Sequence, residues 1–114
     1  MPFLKIQTNQ PLDEPMARDL AARASATVAS QLGKPERYVM VSVEHNPVMQ
    51  FAGSTAPLAY LELKSIGLPA TRTTEFSRAL CELVTDTTGI DPERIYIEFS
   101  DAPRDMWGWN RGTF

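Results

Sequence analysis

The second residue is the first that could do chemistry. Pro2 directly follows Met1, and a small residue there favours removal of the initiator methionine by the cell's aminopeptidase. In a peptide bond the Pro2 nitrogen is an amide and binds no proton. With Met1 gone it is a secondary amine. An amine beside another cation, in an apolar pocket, has its pKa lowered toward neutrality, because both surroundings disfavour the ammonium form. A base poised near the working pH is the most effective kind. On residue type alone, the simpler reading remains that Pro2 is merely the residue after the start codon. Lys34 follows Gly33 at the end of a helical stretch, where a solvated cation suits the helix dipole. His45 is the single histidine, and with no second histidine or cysteine beside it a metal site is not expected; it reads as a surface or interface residue. Cys81 is the single cysteine, so no internal disulfide can form. It falls on an apolar helical face and reads as packed and inert. Asp101 and Asp105, near Arg104, read as a solvated loop. Trp107, Trp109 and Phe114 lie close together in sequence, and such aromatics, with Tyr38 and Tyr96, usually mean core or interface packing.

A repeat dictates the elements that would position these residues. Pro35-Glu36-Arg37-Tyr38 and Pro92-Glu93-Arg94-Ile95 stand half a chain length apart, each shortly after a glycine, Gly33 or Gly89. Each leads into an alternating β-rich run, residues 39–44 and 95–100. Each half also opens with a strand candidate, Phe3 to Thr8 and Leu58 to Ile66. Between the strands Met16, Leu20, Ala24, Val28 and Leu32 recur as one apolar helical face, as do Phe76, Leu80, Leu83 and Val84. Asp13, Glu14 and Pro15 suit a helix start, and Gly33 and Gly89 a left-handed stop. The order is β-α-β twice, residues 1–57 and 58–114, with a connector over 46–57 and a tail from 101. That is one α+β domain: a four-stranded sheet with two helices on one face, since each parallel unit makes a right-handed crossover. The other sheet face is expected to be apolar and to need a cover, which oligomerisation supplies.

Composition narrows the function. The chain has 114 residues, 43% hydrophobic and 22% charged, a net charge of -3 and a pI of about 5.1. One core fits this length, and disorder does not fit the composition. No Lys/Arg run marks a nucleic-acid binder. No apolar stretch reaches membrane-spanning length, and no charged segment precedes an apolar one at the start. The cytoplasm is the expected location.

Met1-Pro2, Thr8-Asn9, Gly33-Lys34-Pro35 with Tyr38, Phe51-Ala52-Gly53-Ser54, Ser65-Ile66-Gly67, Tyr96-Ile97 and Gly108-Trp109-Asn110 ending in Thr113-Phe114 appear in an order and spacing that resembles the macrophage migration inhibitory factor and D-dopachrome tautomerase family. The resemblance spans nearly the whole chain. It implies a homotrimer whose three sheets surround a channel, with active sites between neighbouring subunits. It makes Pro2 the catalytic base and Lys34 the residue that holds a substrate carboxylate and depresses the amine's pKa. Ile66 matches a position whose backbone binds substrate, with Ser65 beside it. Tyr38, Tyr96, Trp109 and Phe114 match the walls of a pocket for an aromatic ring. Three positions depart from the family. Lys64 replaces a histidine and adds positive charge. Trp107 replaces a smaller aliphatic residue and narrows the pocket mouth. Glu98 replaces an asparagine that contacts the substrate's phenol end from the neighbouring subunit.

The implied activity is keto–enol tautomerisation of aromatic 2-oxo acids such as phenylpyruvate, without cofactor or metal. Leu58 and Leu61 stand where some relatives carry Cys-x-x-Cys, so their thiol-oxidoreductase activity is not expected. Two other readings stand beside this one. The first is a cytokine-like interaction protein with a vestigial pocket. The second is decarboxylation or dehalogenation, which needs pocket arginines; Arg37 and Arg72 are the available residues.

Overall fold

The computed structural model describes residues 1–114. Asp13 starts the first helix: its carboxylate accepts the Met16 N–H at 2.8 Å, and a proline occupies the first turn of α1 (Glu14–Leu32). Gly33, at φ 62°, ends it. The Gly33 and Lys34 N–H groups return to the carbonyls of Ser30 and Ala29, a Schellman closure that fixes where Lys34 leaves the helix. Gly89, at φ 79°, ends α2 (Thr73–Thr88) in the same left-handed conformation.

The strands are β1 (Phe3–Thr8), β2 (Met40–His45), β3 (Ala59–Ile66) and β4 (Ile95–Ala102). They lie in the order β2-β1-β3-β4. β1 and β2 are parallel, as are β3 and β4, and the central pair β1–β3 is antiparallel. Two β-α-β units therefore meet at the sheet centre, with both helices on one side. Between that side and the helices lies one core, in which Leu4, Ile6, Leu61, Leu63, Leu20 and Phe76 are buried to 2% exposure or less. Thr8 is buried among them, and its hydroxyl donates to the Leu58 carbonyl at 2.7 Å. The buried hydroxyl therefore carries no desolvation penalty.

Three expectations need correction. The open face of the sheet is polar, not apolar: strand alternation sends Lys5, Glu62, Lys64 and Glu98 outward. Lys5 lies 3.7 Å from Glu44 and 3.8 Å from Glu62 across the strands. A sheet covered on one side only needs apolar residues only on that side, so this face does not itself demand a cover. The segment from Asp101 is not a plain tail. β4 runs on to Ala102, and a 3-10 turn at Arg104–Met106 leads into a small hairpin of β5 (Gly108–Trp109) and β6 (Gly112–Thr113). Asp101 is not simply solvated, since its carboxylate accepts the Leu68 N–H at 3.0 Å and pins the turn after β3.

Candidate active site

The N-terminal end of β1 lies against the 3-10 turn at Glu36–Tyr38 and the C-terminal hairpin. Together they form a cleft of about 230 Å³ lined by Pro2, Arg37, Tyr38, Trp107, Trp109 and Phe114 among others. The aromatic rings set its shape. Trp109 and Phe114 stack at 5.5 Å, and Tyr38 meets each of them edge-on at 6.2 Å. Such offset and T-shaped contacts are the favoured ring geometries. Packed together, they form one aromatic wall of the cleft.

The amine end of the chain closes this cleft. The Met1 ammonium donates to the Tyr38 carbonyl at 3.1 Å, and Pro2 beneath it is fully buried, its nitrogen an amide while Met1 is in place. Burial, and then the charge of Lys34, hold the amine's pKa below its ordinary value of 8.0. Lys34 leaves the Schellman turn and donates to the Ile66 carbonyl at 2.5 Å. The Ser65 hydroxyl donates to the same carbonyl at 3.1 Å. Ser65 itself is completely buried on the helix side of β3 and touches Lys34's site only through that carbonyl; Lys34, Ser65 and Ile66 stand beside the cleft and are not among the residues that line it. Lys34's own pKa is lowered, by burial first and then by the neighbouring charge of Arg104, while Asp101 acts in the opposite sense. Lys64 is exposed on the open face, directly opposite Phe3, which also lines the cleft.

Tyr96 and Glu98 are not in this cleft. They stand on β4, at the opposite edge of the sheet from β2. Tyr96 lines a second, apolar cleft of about 500 Å³ with Phe51, Met49 and Tyr60, its ring 4.5 Å from that of Phe51. Glu98 accepts the Tyr60 hydroxyl at 2.8 Å, and this bond is the main reason the phenol's pKa is pushed up to about 12. One chain thus presents the sequence-derived site as two separated halves, with the amine and Lys34 in one and Tyr96 and Glu98 in the other.

The arginines sort themselves. Arg37 enters the amine cleft, its guanidinium 4.7 Å over the Tyr38 ring. Arg72 lies outside both clefts, 3.1 Å from Glu75 and 5.0 Å over Phe76. Sequence reasoning left Arg104 in a loop and did not single out Tyr60. The signal for Tyr60 was available, since it alternates outward beside Glu62 and faces β4. His45 is exposed, with Nε2 3.3 Å from the Asn9 carbonyl. Cys81 is half-buried, and burial raises its thiol pKa, which keeps it a poor nucleophile.

Comparison with known proteins agrees along the whole chain. The family model for macrophage migration inhibitory factor matches residues 1–114. The chain is 35% identical to macrophage migration inhibitory factor of Meriones unguiculatus, over 100% of this chain and 99% of that protein. It is 36% identical, with the same coverage, to the homolog of Brugia malayi. The crystal structure of a homologue from Prochlorococcus marinus is 42% identical and superposes with a TM-score of 0.90 over 98% of both chains. The structure from Toxoplasma gondii superposes with a TM-score of 0.93 at 28% identity, over 98% of this chain and 99% of that one.

Proposed function

The chain belongs to the macrophage migration inhibitory factor family, and on that footing we propose that it is a cofactor-independent keto–enol tautomerase acting on aromatic 2-oxo acids of the phenylpyruvate type. The observation that carries the reading is the place of the chain's amine end: Met1 and Pro2 line a cleft walled by aromatic rings, and burial and then Lys34 lower the pKa of the Met1 amine there. Removal of Met1 transfers the amine to Pro2. The substrate carboxylate docks on Lys34 and its ring lies against the wall formed by Tyr38, Trp109 and Phe114. The neutral Pro2 amine takes the enol O–H proton, and the resulting prolinium returns a proton to C3, giving the keto acid. In the reverse direction the amine takes the C3 proton and the oxygen is reprotonated. Lys34 stabilises the charge that develops on oxygen.

The working unit is a homotrimer in which a neighbour supplies Tyr96 and Glu98 to the cleft. What supports this is the separation of the two half-sites on one chain and the free outer edges of β2 and β4. Glu98 then accepts a hydrogen bond from a substrate phenol but donates none, favouring 4-hydroxyphenylpyruvate over ring-anionic substrates.

The test is a phenylpyruvate tautomerase assay on material shown by mass spectrometry to lack Met1, paired with Pro2→Gly. Loss of a general acid–base group lowers the rate by roughly 10²–10⁴-fold, with the oligomer intact by sedimentation. Full activity in Pro2→Gly would overturn the assignment. A protein-interaction role is the second reading. It is favoured by the exposed apolar side chains near the cleft, Met40 at 66% and Trp109 at 57% exposure. Partner binding that survives Pro2→Gly, with no turnover in the wild type, selects it.

A further inference from the structure

Strand register brings a second cation to Lys34. The Lys34 ammonium is held on the carbonyl of Ile66, the last residue of β3. Ile66 stands opposite Ala102, the last residue of β4. The 3-10 turn that follows opens with Arg104. Arg104 is gripped from one side only: its Nε donates to the backbone oxygen of Phe114 at 3.3 Å. Phe114 is a wall of the amine cleft, and its N–H returns to the Trp107 carbonyl at 3.1 Å. The guanidinium is thus tied to the cleft's frame while its two terminal nitrogens keep no partner within the chain.

Neither Lys34 nor Arg104 has an ion-pair partner; the ion pairs of the chain engage Lys5, Arg18, Arg23 and Arg72. Asp101, the nearby carboxylate, is committed to the Leu68 N–H. The amine, Lys34 and Arg104 thus stand near one another beside the cleft lining, and the Asp101 carboxylate offsets part of their positive charge. Gathering like charges in a partly desolvated place costs free energy, and an anion entering between them removes that cost. A guanidinium fork fits a carboxylate in two-pronged fashion, where an ammonium acts as a point charge.

We propose that Arg104 is a second binding residue for the substrate carboxylate, acting with Lys34 across the amine end of the cleft, so that the site selects 2-oxo acids over their esters. This rests on the tautomerase reading for its substrate, though the anion site stands on geometry. The depressed pKa of Lys34, which Arg104 shares in causing, agrees with the two cations being neighbours.

The experiment compares phenylpyruvate with its methyl ester in the Met1-free protein and in Arg104→Gln. For the acid, KM rises about tenfold, as expected for loss of one charge-assisted hydrogen bond, and kcat stays within about threefold. For the ester neither constant moves. Arg104→Lys recovers part of the acid's KM. Equal losses on acid and ester would show that Arg104 merely holds Phe114 in place, and an unchanged KM for the acid would show that it does nothing; either result overturns the proposal. A binding arm separates this from the tautomerase reading. Tryptophan fluorescence measures acid and ester binding to Pro2→Gly with and without Arg104→Gln. If the wild type fails to turn over phenylpyruvate, the tautomerase reading falls. Tighter binding of the acid, lost in Arg104→Gln, still upholds the anion site, and equal binding of acid and ester refutes it.

Discussion

The two halves of the chain use one tripeptide for opposite ends. Pro35-Glu36-Arg37 and Pro92-Glu93-Arg94 each lie at a 3-10 turn after a left-handed glycine, and each turn feeds a parallel strand. In the first half the residue after the glycine is Lys34, a cation reaching to the Ile66 carbonyl. In the second it is Ile90, buried at 1% exposure. Arg37 is exposed and lies over Tyr38 in the amine cleft. Arg94 is turned inward onto the connector, donating to the carbonyls of Phe51, Ser54, Ala56 and Pro57 at 3.0–3.2 Å. The difference comes from what precedes each unit. The strand of the first half starts beside the chain's amine, so its turn borders a cleft. The strand of the second half follows a long connector, and Arg94 braces it by donating to four of its carbonyls, two of which, Phe51 and Ser54, also pair with each other's N–H. Equivalent turns therefore border the candidate site in one half and brace the connector in the other.

Exchanging the paired residues tests this contrast most severely. Ile90→Lys places an unpaired cation in the core and lowers unfolding free energy by roughly 3–5 kcal/mol. Lys34→Ile, at the matching position, stays within about 1 kcal/mol of the wild type. Urea unfolding midpoints measure both, and similar values for the two variants would erase the distinction. Next comes the arginine pair. Arg94→Met removes four hydrogen bonds to connector carbonyls and costs about 2–3 kcal/mol, a fall in Tm of roughly 10 °C for a chain of this length. Arg37→Met changes stability by under about 0.5 kcal/mol. Calorimetry on the two proteins distinguishes them.

The third test concerns function. Lys34→Ile lowers kcat/KM for phenylpyruvate about tenfold or more, through loss of a charge-assisted contact. Its pH profile carries the sign. Lys34 holds the Met1 amine's pKa down, second to burial; with Met1 removed the same charge is expected to act on the Pro2 amine, so removing it raises that pKa. The amine is the base when neutral, so the ascending limb of kcat/KM moves to higher pH. A limb that stays in place would disconnect Lys34 from the base. The smallest effect belongs to the second half-site. Glu98→Ala removes the acceptor that pushes the Tyr60 phenol to about 12, so ultraviolet titration finds it returned toward the ordinary 10.0.

The helices were legible in the sequence because their causes are local. A four-residue apolar recurrence gave Leu20, Ala24 and Val28 their shared face, and all three are buried. Asp13, Gly33 and Gly89 act through neighbours a few residues away. Strand positions followed alternation to within a residue or two at most ends. The polarity of the open face was readable from the same alternation, because Lys5, Glu62, Lys64 and Glu98 all occupy outward positions; the expectation of an apolar face ignored it. The hairpin at the C-terminal end was not legible. It rests on turn residues with positive φ, Asn110 at 48° and Arg111 at 67°, and on pairing through only two residues per strand.

Of the candidate site, the sequence supplied the residue types and their membership, through motifs spread along the chain. Pro2, Lys34, Tyr38, Trp109 and Phe114 could be named from it, because order and spacing of motifs survive where single strings are ambiguous. Their arrangement came from tertiary structure. Lys34 meets the amine because a Schellman turn and a parallel strand bring the end of α1 back beside β1. Arg104 comes near enough to Lys34 to lower its pKa because β3–β4 register sets Ile66 level with Ala102. Tyr96 and Glu98 stand apart because the strand order puts β4 at the far edge. Local propensity acts over a few residues and can fix a helix or a turn. Charges far apart in sequence become neighbours only through strand pairing and crossover, which no local pattern encodes.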